Sequence, residues 1–229
     1  ITPRDSVPVG GRIRPWKMRA RLSVRDSTGA AIGEGPLFDA MYTGLTSDGD
    51  TRLPFSNLPF VAVADDWVGF GSGRAFTISV LDSGFHRREE FRWPQAVEIL
   101  TTGEVARWKE AAVASGPANM SRERIEASFA DMLAPEILPA TRPTIGRVVV
   151  APDGMIWVER FAPRVPGVVT APNSDRWTVL DRGGAPAAIF RLPEGARLEA
   201  VAGEMVALVV TDSVGIQRVE VRRVIRSPQ

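Results

Sequence analysis

The sequence predicts an all-β fold assembled from repeated four-strand units and interrupted by a pair of helices. Three observations carry that expectation. Short apolar strands joined by tight Asp, Gly or Glu turns recur along the chain. A second pattern, an apolar alternation closed by Asp and then Gly, recurs beside them. One segment changes its hydrophobic period from two residues to that of a helix.

The first pattern appears as "FVAVADDWVGF" (60–70), "VVVAPDGMIWVERF" (148–161) and "RLEAVAGEMVALVV" (197–210). Each has the strand–turn–strand form of a β-hairpin. The second appears as "LSVRDSTGAAIG" (22–33), "FTISVLDSGFHRREEF" (76–91) and "RWTVLDRGGAPAAIFRL" (176–192). Asp26, Asp82 and Asp181 hold equivalent places in it, followed by Gly29, Gly84 and Gly183. Asp bonds its own backbone in a turn, and Gly supplies positive φ.

Joined in order, the patterns give one unit with strands near 60–64, 67–71, 76–81 and 88–93. A second has strands near 146–151, 155–161, 176–181 and 187–192. Three further strands lie near 197–202, 205–211 and 216–225, and the hairpin 20–33 supplies the last two strands of an earlier unit. Four antiparallel strands repeated about every 50 residues are the signature of a β-propeller blade. Residues 20–226 are therefore assigned to blades. Residues 1–19 are assigned to an N-terminal extension or the remnant of an earlier blade.

The helical insertion covers about residues 95–138. Thr101 and Glu104 have capping-box spacing, and Val105, Trp108 and Ala112 follow on one helical face. Ser121 is placed to cap a second helix with Ile125, Phe129, Met132 and Leu133 on one stripe. A "GPAN" turn joins the two, and Pro135 and Pro139 end the segment.

The "PDGMIWV" hairpin, "WTVLDRGG", "RLPEG" and the closing "DSVGIQRVEVRRV" resemble bacterial six-bladed β-propeller proteins of the NHL-like and TolB-like superfamily. So does "PFSNLPFVAVADDWVGFGSG" followed by a helical insertion. The resemblance covers about residues 20–226 and is to the C-terminal portion of such proteins. It implies three to four blades of a six-bladed ring, two of them complete here; the alternative is a compact four-bladed ring. It further implies a non-catalytic scaffold for a protein or small-molecule ligand, in the periplasm or outside the cell. The alternative is a metal-dependent hydrolase of the lactonase type. An incomplete ring exposes blade edges, so self-association is expected.

Composition narrows the chemistry. The net charge of +1 gives no overall field for nucleic acid. With no cysteine there is no disulfide, thiolate zinc site or cysteine nucleophile, and both cytosol and periplasm suit such a chain. A single histidine, His86, excludes a His-cluster metal site. No apolar run reaches the roughly 18 residues of a spanning helix, and no signal-peptide pattern is visible.

Asp65, Asp66, Asp153 and Asp181 suit calcium only if several segments converge; each reads as turn chemistry instead. His86, beside Arg87 and Arg88, reads as a solvent-facing loop residue. "GFGSG" (69–73) lacks the Lys and following helix of a phosphate loop. Arg222, Arg223 and Arg226 alternate with Val on an outer strand, where charge discourages edge-to-edge pairing. Trp67, Trp157 and Trp177 are assigned to blade cores. Trp16 and Trp93, each beside proline, are assigned to an exposed recognition surface. Trp108, Arg107 and Arg124 on the helical insertion complete that candidate binding surface. No catalytic residue, metal ligand or cofactor is assigned.

Overall fold

The computed structural model describes residues 13–46, 49–63, 67–82, 84–93, 97–165, 174–193, 195–212 and 214–224. The chain is mostly β. Sheet I contains β1 (Arg14–Arg25), β2 (Ala31–Thr46) and β3 (Gly49–Thr51), paired in that order. Sheet II is an antiparallel meander of β4 (Phe60–Val63), β5 (Trp67–Gly71), β6 (Thr77–Asp82) and β7 (Arg87–Arg92). Sheet III repeats it with β8 (Ile145–Val150), β9 (Ile156–Arg160), β10 (Arg176–Leu180) and β11 (Pro186–Arg191). Sheet IV has three strands, β12 (Ala196–Ala202), β13 (Met205–Thr211) and β14 (Gln217–Arg223). Between sheets II and III lie α1 (Thr102–Ala114), α2 (Arg122–Ala130) and a 3-10 turn (Asp131–Leu133).

Sheet III explains the strand pattern. Along β9, Ile156 and Val158 face one way and Trp157 and Glu159 the other, as a period of two requires. One face joins Phe60, Ala62, Ile78, Val80 and Phe91 of sheet II. The other joins Leu198, Val201, Val206 and Leu208 of sheet IV. Both faces are thus covered, which is why 156–159 are all buried and why three of the four, Ile156, Trp157 and Val158, run as consecutive apolar residues. The fully buried Leu180, Leu198, Leu208 and Ile156 each sustain a few kcal/mol, about 2–5 on truncation to Ala. The first strand of sheet III, β8, lies beside β4 and β12, the first strands of its neighbours.

The tight turns repeat in detail. In the turns opened by Asp26, Asp82, Asp181 and Asp212, the Asp N–H donates to the carbonyl four residues on, at 2.8–3.0 Å. The Asp carbonyl accepts from the N–H three residues on, at 2.9–3.0 Å. Each Asp Oδ1 also accepts from the N–H groups two and four residues on. The left-handed position is the third after Asp: Gly29, Phe85, Gly184 and Gly215. The sequence pairing of Gly84 and Gly183 with Gly29 is therefore corrected by one residue. The Asp26, Asp82 and Asp181 hairpins share a further feature, a bulge directly before the turn, at Val24/Arg25, Val80/Leu81 and Val179/Leu180.

Sheet I departs from expectation. Its first strand begins at Arg14, inside the span assigned to an extension, and its second runs to Thr46. The glycines of β2 are contact points rather than turns. A Cβ on Gly33 would lie 3.3 Å from the Phe85 ring, and one on Gly35 would lie 3.2 Å from Leu81. Sheet I thereby closes onto sheet II, with the Phe38 and Phe70 rings tilted against each other, centroids 4.8 Å apart. The "GFGSG" glycines act likewise: a Cβ on Gly69 or Gly71 would strike Trp67 or Phe60 at 2.6 and 2.7 Å.

Candidate functional site

The helical pair is docked rather than free. Thr101 caps α1, accepting from Glu104 N–H at 3.2 Å, while the Glu104 carboxylate accepts from Thr101 N–H at 3.0 Å. The same carboxylate pairs with Arg142 at 3.0 Å, and Arg142 Nη2 donates to the Phe161 carbonyl at 2.9 Å. Glu98 joins the group through Arg142 and Arg160. Burial is the largest single influence on the Glu104 carboxyl and raises it, but the capping-box hydrogen bonds and the charges of Arg142 and Arg107 together hold it below its usual range. This cluster fixes the start of α1 against the end of β9.

Under α1 lies a cavity of about 370 Å³. Trp108, Phe55 and Phe161 form its apolar wall together with Met132 and Val165, and Arg52, Arg164 and Ser56 bring the polar groups. Trp108 is held in place by its Nε1–H, which donates to the Arg164 carbonyl at 2.9 Å, and by edge contact with Phe129 at 5.3 Å. Phe55 has φ +58, a left-handed conformation that is costly for an aromatic residue. It is kept there by burial and by its approach to Trp108, ring centroids 6.4 Å apart.

Two polar features of the cavity stand out. Arg52 keeps an exposed edge, yet its guanidinium is held below its ordinary value, first by burial and then by the charge of Arg164. Among the described residues neither arginine makes an ion pair. Arg164 also acts at longer range on Glu159, a carboxyl pushed up to about 7 by burial despite Arg147, Arg164 and Arg197. Ser56 is 2% exposed, and among the described residues its Oγ has no hydrogen-bond partner.

The sequence-predicted residues divide. Trp108 forms the cavity wall. Arg107 and Arg124 are exposed on α1 and α2 and do not line it. Trp93 is corrected: it is buried in the core between sheets II and III, because its N–H donates to the Phe76 carbonyl at 3.4 Å and its ring packs on that of Phe76 at 5.2 Å. The backbone of Trp16 pairs with Thr43 in sheet I; its side chain lies outside the described residues. Asp65 and Asp66 also lie outside them. The Asp153 and Asp181 carboxylates accept from backbone N–H groups of their own turns. His86 is solvent-facing, with its Nδ1 3.6 Å from Asp82. Among the described residues no three His, Asp or Glu side chains gather as a metal site requires, and no helix is long and apolar enough to cross a membrane. Sequence reasoning missed Arg52, Ser56 and Arg164, which stand in irregular segments without periodicity.

No protein-family model and no curated protein matches this chain.

Proposed function

We propose that this chain is a run of β-propeller blades serving as a non-catalytic scaffold that binds a ligand beneath its helical insertion. The observation that supports it most is the repeat in hairpin detail. The Asp26, Asp82 and Asp181 hairpins share turn, bulge and carboxylate bonding, as third-to-fourth-strand hairpins of successive blades would. The side-by-side order of β4, β8 and β12 suits first strands grouped about an axis. On this scheme β4–β7 and β8–β11 are whole blades. Sheet I closes an earlier one and sheet IV opens a later one, within a six-bladed ring of the NHL-like or TolB-like kind. A periplasmic or extracellular location goes with that resemblance. Blades bury their apolar faces on each other, so the helical pair is additional to the fold, and function is grafted at such additions.

The metal-dependent hydrolase has less support, because Asp153 and Asp181 are engaged by backbone amides in separate turns. Calorimetric titration with Ca²⁺, run beside a lactone-hydrolysis assay, decides between the two. The scaffold gives neither cation binding nor cation-dependent turnover. A stoichiometric cation site that is lost in Asp181→Asn, together with lactone hydrolysis, overturns it.

A further inference from the structure

The cavity under α1 has the chemistry of a specific ligand class. Arg52 and Arg164 line the same cavity, and burial first, then the charge of Arg164, lowers the proton affinity of Arg52. Nearby arginines are used differently: Arg142 and Arg160 face Glu98 and Glu104. Arg52 and Arg164 instead both line an open cavity. Two like charges beside each other are stabilised by an anion between them, and the planar fork of arginine suits a carboxylate or phosphate. Ser56 lines the same cavity, and among the described residues its buried Oγ has no hydrogen-bond partner. Buried hydroxyls are ordinarily bonded, and a ligand oxygen supplies the missing acceptor. The remaining wall is aromatic and aliphatic. The volume, about 370 Å³, lies within the range of small-molecule sites, roughly 300–1,000 Å³.

We infer that this cavity binds a small organic anion, an acidic head group on an apolar body. Arg52 and Arg164 hold the head, the Ser56 hydroxyl donates to one of its oxygens, and Phe55, Trp108 and Phe161 pack against the body. The assignment rests on the scaffold function proposed above and names its ligand. Strain at Phe55 belongs to the same account, since it sets the ring facing Trp108 at the cavity wall. The Arg142–Glu104 pair keeps α1 in position over the site.

Calorimetric titration of the whole chain with 4-phenylbutyrate and 2-phenylethyl phosphate tests this, with 4-phenylbutyramide and inorganic phosphate as controls. At least one aryl anion binds with one-to-one stoichiometry, and the tighter of the two identifies the head group. The neutral amide binds about tenfold more weakly or worse, as loss of a charged hydrogen bond requires. Arg52→Gln and Arg164→Gln each weaken the anion by about tenfold, whereas Arg223→Gln on β14 does not. Ser56→Ala weakens binding severalfold without lowering the thermal midpoint, which a purely structural serine would not do. The inference is overturned if acid and amide bind alike, or if no aryl anion binds at about 10 mM, a free energy of only some 3 kcal/mol. Inorganic phosphate binding as tightly as the aryl anions also overturns it. So do arginine variants that keep the wild-type circular dichroism and bind unchanged. Should one arginine variant fail to fold, the other and Arg52→Lys decide. Failure here with the Ca²⁺ and lactone tests still negative removes the ligand class and leaves the scaffold; metal-dependent turnover removes the scaffold itself.

Discussion

Asp153 and Gly154 illustrate how little chemistry a conspicuous Asp-Gly pair need carry. Asp153 Oδ1 accepts from Met155 N–H at 3.0 Å, and Gly154 sits at φ +82. Asparagine keeps that acceptor, so Asp153→Asn leaves stability and ligand affinity unchanged. Gly154→Val places a branched residue at positive φ and drives its Cβ within 2.8 Å of Arg182, whose Nε bonds the Asp153 carbonyl; it costs about 2 kcal/mol or more. A second comparison separates backbone strain from crowding. Gly29 at φ +87 has open space around it, whereas a Cβ on Gly184 would meet Phe91 at 2.8 Å. Urea unfolding should show Gly29→Ala losing about 1–2 kcal/mol and Gly184→Ala clearly more. Equal losses would mean that Phe91 yields freely. Phe85, left-handed where the other Asp turns have Gly, covers Gly33, so packing accounts for the exception.

At the scale of elements, strands with one covered face or two were legible. Alternation marks β8–β10 and β12–β13 to within a residue or two, and the Thr101–Glu104 spacing marks α1. Thr101→Ala removes the side-chain half of that capping box, leaving the backbone N–H of residue 101 to the Glu104 carboxylate, and lowers stability by about 1 kcal/mol; an unchanged chemical-denaturation midpoint would show that the Arg142–Glu98 cluster alone holds the helix. The length of sheet I was hidden by the glycines and Pro36 of β2. Sequence reasoning treats such residues as breaks, yet here they admit Phe85 and Leu81. Lys17, Arg19, Arg21 and Arg25 alternating with Met18, Ala20, Leu22 and Val24 did carry the signal for β1. Trp93 was misplaced because a neighbouring proline suggests an edge, while its burial just past β7 comes from packing on Phe76, which immediately precedes β6. The cavity was illegible beyond Trp108. Arg52, Ser56 and Arg164 have no period to betray them, and only the fold brings residues 52–56 beside 161–165.

The whole molecule stacks sheet on sheet, and among the described residues one acid, Glu159, is buried. Glu159, on the face of sheet III toward sheet IV, titrates near 7 against an ordinary 4.5. Between those values the folded chain binds the extra proton, so stability falls as pH rises from about 4.5 to about 7. The full effect is on the order of 3 kcal/mol, reached above pH 7. Glu159→Gln flattens that slope in denaturation curves; an unaltered slope would assign it elsewhere. Below about pH 4.5 the trend reverses, because Glu104 and Glu199, held low in the fold, lose their contributions there. The free face of sheet IV exposes Val219 and Val221, 73% and 66% exposed, beside the partly buried Val209 and Ala207. A sheet with such a face takes another sheet, and in a solution of this chain alone that is a second copy. Sedimentation should reveal association that Val219→Lys with Val221→Lys abolishes; a wild-type chain monomeric at every concentration contradicts this.

Binding beneath the helices, rather than at the Asp turns, is the claim on which the account depends. Hydrogen exchange of the chain with and without 4-phenylbutyrate tests it most directly. The account predicts new protection confined to residues 52–56, 102–114 and 161–165. Protection centred instead on the turns at Asp153 and Asp181 would contradict it.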